Sequence, residues 1–155
     1  MKNKAIRVLL IVPENNTTMH PELLQQLPAG SHCEILKIPR GKGLLTKETL
    51  GDYKESTISL CEKVDNSQFD IVAYGCTAAG FILGPDGDAE MALRIAKTTG
   101  KPVVTTASSM TRALQELGAK NISLLTPYSE HVNVQLKSFL NHSQIQVAHF
   151  DSFYA

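Results

Sequence analysis

Cys76 stands in the stretch YGCTAAGFILGPDGD (74–88), where a short apolar run ends and small residues begin. In an open α/β sheet the carboxyl end of a strand is where ligands bind. A thiol there can act as nucleophile or proton carrier once backbone NH groups or a cation favour its thiolate. The NH groups of Thr77 to Gly80 offer such an anion-binding nest. The competing reading is a small filler of space, since cysteine is among the most buried residue types. Cys33 at a strand start and Cys61 on the apolar face of a helix read as packing.

Two further clusters fall at strand ends. Asn15, Asn16, Thr17 and Thr18 follow the first apolar run, and their amides and hydroxyls can hold a carboxylate without a charge. The same residue types are preferred turn and helix N-cap residues, so one of them is expected to cap the following helix. Tyr128 follows Pro127 after the apolar run at 122–126, with Asn133 one helical turn beyond. Its hydroxyl can donate to a carboxylate, although a lone loop aromatic more often packs. His20, His131, His142 and His149 show no metal-ligand spacing, and GPDGD (84–88) is too short and too poor in carboxylates for a calcium loop. It reads as a turn, with Asp86 or Asp88 capping the next helix. The first loop lacks both the dinucleotide fingerprint and the phosphate-binding P-loop pattern.

The elements that must carry these residues are legible as an alternation. Strand-like runs occupy 6–12, 33–38, 69–75, 102–106, 122–126 and 145–150, several apolar on consecutive positions as in strands covered on both faces. Between them lie helical periods through Tyr53, Thr57, Leu60, Cys61 and Val64, through Met110, Ala113, Leu114 and Leu117, and through Val132, Leu136, Phe139 and Leu140. Helices are also expected over 20–27 and 88–98, the latter stopped by Gly100 and Pro102. The alternation implies an α/β fold, a doubly wound parallel sheet in a three-layer sandwich. LLIVPENNTT (9–18) and SLLTPYSEHVN (123–133) form a faint internal echo, strand then proline then helix.

Lys+Arg and Asp+Glu balance at 15 each, so no general field attracts nucleic acid or anionic lipid. The apolar runs are too short to span a bilayer, so no membrane association is expected. Three scattered cysteines suit a reducing, cytoplasmic setting.

Three ordered stretches, VPENNTTMHPE (12–22), YGCTAAG (74–80) and TPYSEHVNVQLKSFL (126–140), resemble motifs of the Asp/Glu racemase superfamily, which includes maleate cis-trans isomerase and arylmalonate decarboxylase. The resemblance implies two pseudo-symmetric α/β halves, here 1–112 and an incomplete 113–155, with a small carboxylic acid held between them. It implies cofactor-independent chemistry without metal: Cys76 as the thiol, Asn16 on a carboxylate, Thr77 and Ala78 as oxyanion donors, Tyr128 donating from the second half, and Asn133 as a further substrate-binding residue. Decarboxylases of the group carry glycine where Cys76 stands, so racemase or isomerase chemistry of the maleate type is expected. No second cysteine motif follows Tyr128. A catalytically inactive, carboxylate-binding or interaction module is therefore the alternative expectation, and a decarboxylase-type lyase a further one. An incomplete second half also leads us to expect a homo-oligomer.

Overall fold

Five consecutive buried residues, Val8 to Val12, lie inside β1 (Arg7–Pro13), which is possible only where both faces of a sheet are covered. The structure, a computed structural model, describes residues 4–39 and 45–153. After β1 come α1 (Met19–Gln26), β2 (His32–Ile38), α2 (Leu50–Glu62), a 3-10 turn (Asn66–Gln68) and β3 (Ile71–Tyr74). There follow α3 (Thr77–Thr99), β4 (Val103–Thr105), α4 (Thr106–Glu116), β5 (Asn121–Thr126), α5 (Glu130–His142) and β6 (Gln146–Ser152). The first four strands are parallel in the order β2-β1-β3-β4, and β5 and β6 form a parallel pair of their own.

The side-chain alternation of β1 sorts the core into two layers. Val8, Leu10 and Val12 meet Met19, Leu23 and Leu27 from α1 and its end. Leu9 and Ile11 face the larger cluster, where α2, α3 and α5 bring Tyr53, Cys61, Phe81, Met91, Ile95, Leu136 and Phe139. Each fully buried aliphatic or aromatic side chain contributes about 1.5–3 kcal/mol. This is the expected three-layer, doubly wound arrangement. Single helix α4 runs across positions 112 and 113 and joins the two sheets. Beyond it, β5-α5-β6 repeats the parallel strand-helix-strand course of β1-α1-β2, which is the echo seen in the sequence.

One element differs from expectation. Helix α3 does not wait for Asp88 but begins at Thr77, directly after Cys76, and ends as expected on left-handed Gly100. The run TAAGFIL is small rather than loop-forming, and its Ala79, Phe81 and Ile82 bury as a helix does. GPDGD is a kink instead of a capped turn: Gly84 adopts φ 74°, and Pro85 opens the next helical stretch, where a missing NH costs little. Neither Asp86 nor Asp88 is a cap. The kink turns Asp88 inward, and it accepts a hydrogen bond from Thr105 Oγ1 at 2.5 Å. Gly80 makes this approach possible, because a Cβ there would lie 2.5 Å from Ala107 Cβ and 2.8 Å from Asp88 Oδ1.

The second oxygen of Asp88 is buried without a hydrogen-bond partner among the described residues. Burial raises the Asp88 carboxyl above the usual range, only partly opposed by the Thr105 hydroxyl. A carboxyl raised in this way binds its proton more tightly in the folded chain than in the unfolded one. Its stabilising contribution is therefore full below the unfolded carboxyl range, about 3.9, and is lost as pH rises through the raised folded value. Asp88→Asn keeps an acceptor for Thr105 and removes the titration. Chemical denaturation between pH 4.5 and pH 8 should show the wild type losing stability relative to Asp88→Asn as pH rises; parallel curves would refute the assignment.

Candidate active site

The strand order reverses at β1: the chain passes from β1 to β2 on one side and then crosses back to β3 on the other, and in such sheets ligands bind at this point. The carboxyl ends of β1 and β3 lie side by side, with Ile11 opposite Tyr74 and Gly75 N donating to Ile11 O at 2.7 Å. Gly75 has no room for a side chain, since a Cβ would sit 2.5 Å from Met19 Sδ and 2.7 Å from Val12 Cγ1. Its missing Cβ lets the first turn of α1 settle over the end of β3.

Cys76 follows as the N-cap residue of α3, 5% exposed, and its thiol does not cap the helix. Gly80 N is already bonded to Cys76 O at 3.2 Å, so the NH groups left to an anion in this first turn are those of Thr77, Ala78 and Ala79. A helix N-terminus favours negative charge by about 0.3–1 kcal/mol at an exposed site. Thr77 does not aim its hydroxyl at a ligand: Oγ1 donates to Thr106 Oγ1 at 3.0 Å, and Thr106 reaches the Tyr74 carbonyl at 3.5 Å. Burial raises the Cys33 thiol and, with the nearby Glu62 charge, pushes Cys61 up to about 11.

Asn16 is half-buried in the turn between β1 and α1. Its Oδ1 accepts from Thr18 N at 3.2 Å and Met19 N at 3.0 Å, so it is the residue that closes α1. Its Nδ2 has no partner among the described residues and remains a donor. The Lys37 ammonium donates to the Asn16 carbonyl and holds the same turn from β2.

Tyr128 lies between β5 and α5, edge-on to Phe81 of α3 with ring centroids 6.2 Å apart. Burial raises its phenol above the ordinary tyrosine value, and the charge of Cys76 raises it further. Tyr74, fully inside the core, is raised by burial first and by Cys76 and Asp88 after it. Asn133 is 2% exposed, accepts from Thr126 Oγ1 at 2.6 Å and donates through Nδ2 to the Tyr128 carbonyl at 2.8 Å.

Of the residues singled out from the sequence, Cys76, Thr77, Ala78 and Tyr128 thus surround the start of α3. Asn16 reaches the same edge through Met19, and Asn133 sits buried behind Tyr128. Sequence reasoning missed Gly75, Phe81, Thr106 and Lys37. The hydroxyl-rich run TTASS (105–109) was the one local signal for Thr106. The result is a buried thiol at the strand-end edge, with the first-turn NH groups of α3 beside it, a tyrosine packed against the same helix and a primary amide in the neighbouring turn. Such a set suits a small anion whose charge shifts during reaction.

The arylmalonate decarboxylase family model matches residues 8–154. A maleate isomerase of Geobacillus stearothermophilus is 28% identical, aligned over 93% of this chain and 62% of that protein. The crystal structure of the maleate isomerase Iso from Pseudomonas putida S16 superposes with a TM-score of 0.81 at 24% identity, covering 98% of this chain and 65% of that one. A Nocardia farcinica maleate cis-trans isomerase mutant, solved with a covalently bound succinylcysteine intermediate, superposes with a TM-score of 0.81 at 18% identity, over 98% of this chain and 65% of that one. The chain thus spans less than two thirds of these relatives' length. A switch point between β1 and β3, a thiol at a helix start and a family match over nearly every described residue agree: the chain belongs to the arylmalonate decarboxylase family.

Proposed function

We propose that this chain binds a small carboxylic acid at the carboxyl ends of β1 and β3 and acts on it through Cys76. The chemistry is that of a cofactor-independent isomerase or racemase, nearest in kind to maleate cis-trans isomerisation. The observation that carries this reading is Cys76 itself, a thiol at the switch point on the first residue before α3 and within electrostatic reach of Tyr128. The family resemblance adds that decarboxylases carry glycine at this place.

The steps balance without a cofactor. The Cys76 thiolate adds to one alkene carbon of maleate, forming a C–S bond, while the π pair moves to the neighbouring carbon and into its carboxylate. The former double bond is now single and rotates. Expulsion of the thiolate restores the double bond as fumarate. Protonation of the intermediate instead gives a succinylcysteine, the adduct named in the Nocardia farcinica structure. In this reading the NH groups of Thr77 and Ala78 and the Tyr128 hydroxyl stabilise the oxygen charge that builds up, and Asn16 Nδ2 holds the other carboxylate.

Following maleate, aspartate, glutamate and an arylmalonate by NMR in deuterated water separates the reactions. Fumarate should form from maleate, and Cys76→Ala should abolish it. Saturable maleate binding with no turnover of any of the four would make the chain a carboxylate-binding module, and loss of CO2 from the arylmalonate would make it a decarboxylase.

Thiol reactivity gives an independent check. Cys76 is as buried as Cys33, and what sets it apart is the start of α3: limiting iodoacetamide with peptide mapping should modify Cys76 first because the first-turn NH groups there attract an anion, whereas burial raises Cys33 and, with Glu62, Cys61. Faster labelling of either of the other two would reduce Cys76 to a packing residue. Reduced thiols of this kind fit a cytoplasmic setting.

The second sheet supports self-association. Its β5 and β6 pair only with each other among the described residues, and Leu125 and Phe153 are 64% and 55% exposed beside them. Open strand edges with exposed apolar side chains are association sites. Light scattering at dilute protein should therefore report a two-fold dimer. A monomer would remove the proposal.

A further inference from the structure

We propose that Asn133 is a positioning residue: its amide, clamped between Thr126 and the Tyr128 backbone, sets where the Tyr128 hydroxyl meets a ligand without touching that ligand itself. The inference rests on the reading of Tyr128 as a carboxylate donor and assigns a role to the residue behind it.

Three hydrogen bonds make the clamp. Thr126 Oγ1 donates to Asn133 Oδ1 at 2.6 Å, Asn133 Nδ2 donates to the Tyr128 carbonyl at 2.8 Å, and Tyr128 N donates to Thr126 Oγ1 at 3.3 Å. The last residue of β5, the loop and the first turn of α5 are thereby closed into a ring of bonds. Thr126 is 3% and Asn133 2% exposed, so water competes for none of its buried members. With the Tyr128 backbone held on one side and its ring edge-on to Phe81 on the other, the phenol has little freedom left. Phe81 is in turn fixed edge-on by Phe139 of α5, with centroids 5.6 Å apart, so the clamp and the aromatic contact share one helix.

The chemistry requires an amide. Oδ1 must accept from a hydroxyl and Nδ2 must donate to a carbonyl, and asparagine alone does both at this length. An ionised aspartate keeps the first bond and loses the second. With Oδ1 and one Nδ2 hydrogen engaged and the residue 2% exposed, the Asn133 amide serves the turn it closes and acts on a bound acid through Tyr128.

The test uses the whole chain with Asn133→Asp, Thr126→Val and Thr126→Ser. Carbon-13 labelled tyrosine reports Tyr128 by NMR, with the core residue Tyr74 as internal control, and maleate titrated by calorimetry reports the site. In Asn133→Asp and Thr126→Val the Tyr128 resonance should move, its titration should fall towards that of ordinary tyrosine, and maleate should bind about fivefold more weakly, as for one lost buried hydrogen bond. Tyr74 should stay where it is. Thr126→Ser restores the hydroxyl and should return the wild-type values within about twofold. An unmoved Tyr128 in both variants would overturn the inference, and so would a Tyr74 that shifts as much as Tyr128, since that is general loosening. If the wild type binds no maleate, the proposed function fails, and the movement of Tyr128 against Tyr74 still decides the clamp.

Discussion

Gly75 has no side chain, and the close packing of Met19 over the end of β3 depends on that. The residue extends the β1–β3 ladder by one hydrogen bond, to Ile11 O, and leaves its Cα bare beneath Met19. A methyl group there would meet the tip of the Met19 side chain and Val12 Cγ1, so those two side chains would have to give way. Asn16 is tied to Met19 N, and Cys76 is the next residue after Gly75, so this packing links the turn after β1 to the start of α3.

Around that contact the protein arranges dipoles in preference to charges. The carboxylate in the neighbourhood, Asp88, is buried with its proton favoured, and the Lys37 ammonium is turned to the Asn16 carbonyl. Hydroxyl pairs do the connecting: Thr77 to Thr106 fixes the start of α3 against the start of α4, and Thr105 to Asp88 fixes the far side of the Gly84 kink against the same helix. Helix α3 is therefore held at both ends of its first segment, and its first-turn NH groups are aimed before any ligand arrives. Preorganised donors of this sort cost no rearrangement when charge develops on a substrate. An equal count of acidic and basic residues, which excluded a general electrostatic attraction, is compatible with strong local stabilisation of an anion.

Much of this was legible before the fold was seen. The consecutive apolar residues of β1 and the end of β3 announced a doubly wound sheet, and its switch point falls where Asn16 and Cys76 had been read as candidates. The start of α3 was not legible, because the small residues of Thr-Ala-Ala-Gly show no apolar period of their own. Gly80 lets this turn come close to Ala107 of α4, an approach made across 27 residues of chain. Gly84 and Pro85 misled in the opposite direction: they punctuate the helix as a turn would, yet helical turns resume directly after them and carry Asp88 inward. The Thr77–Thr106 and Thr105–Asp88 pairs are long-range, and a local pattern cannot contain them.

The two halves use asparagine in related ways with different remainders. In the turn after β1, Asn16 spends its carbonyl oxygen on two backbone NH groups and keeps its amide hydrogens. After β5, Asn133 spends the carbonyl oxygen on a hydroxyl and an amide hydrogen on the Tyr128 carbonyl. Both residues close a strand-to-helix turn, which is the ordinary reason for asparagine at such positions. What the closure engages differs. After β1 the amide nitrogen has no partner among the described residues, whereas after β5 the amide is bonded at both ends and ties the backbone of Tyr128 to α5. A similar local pattern in sequence thus leaves an amide donor in the first turn and, in the second, an amide that braces the residue in front of it.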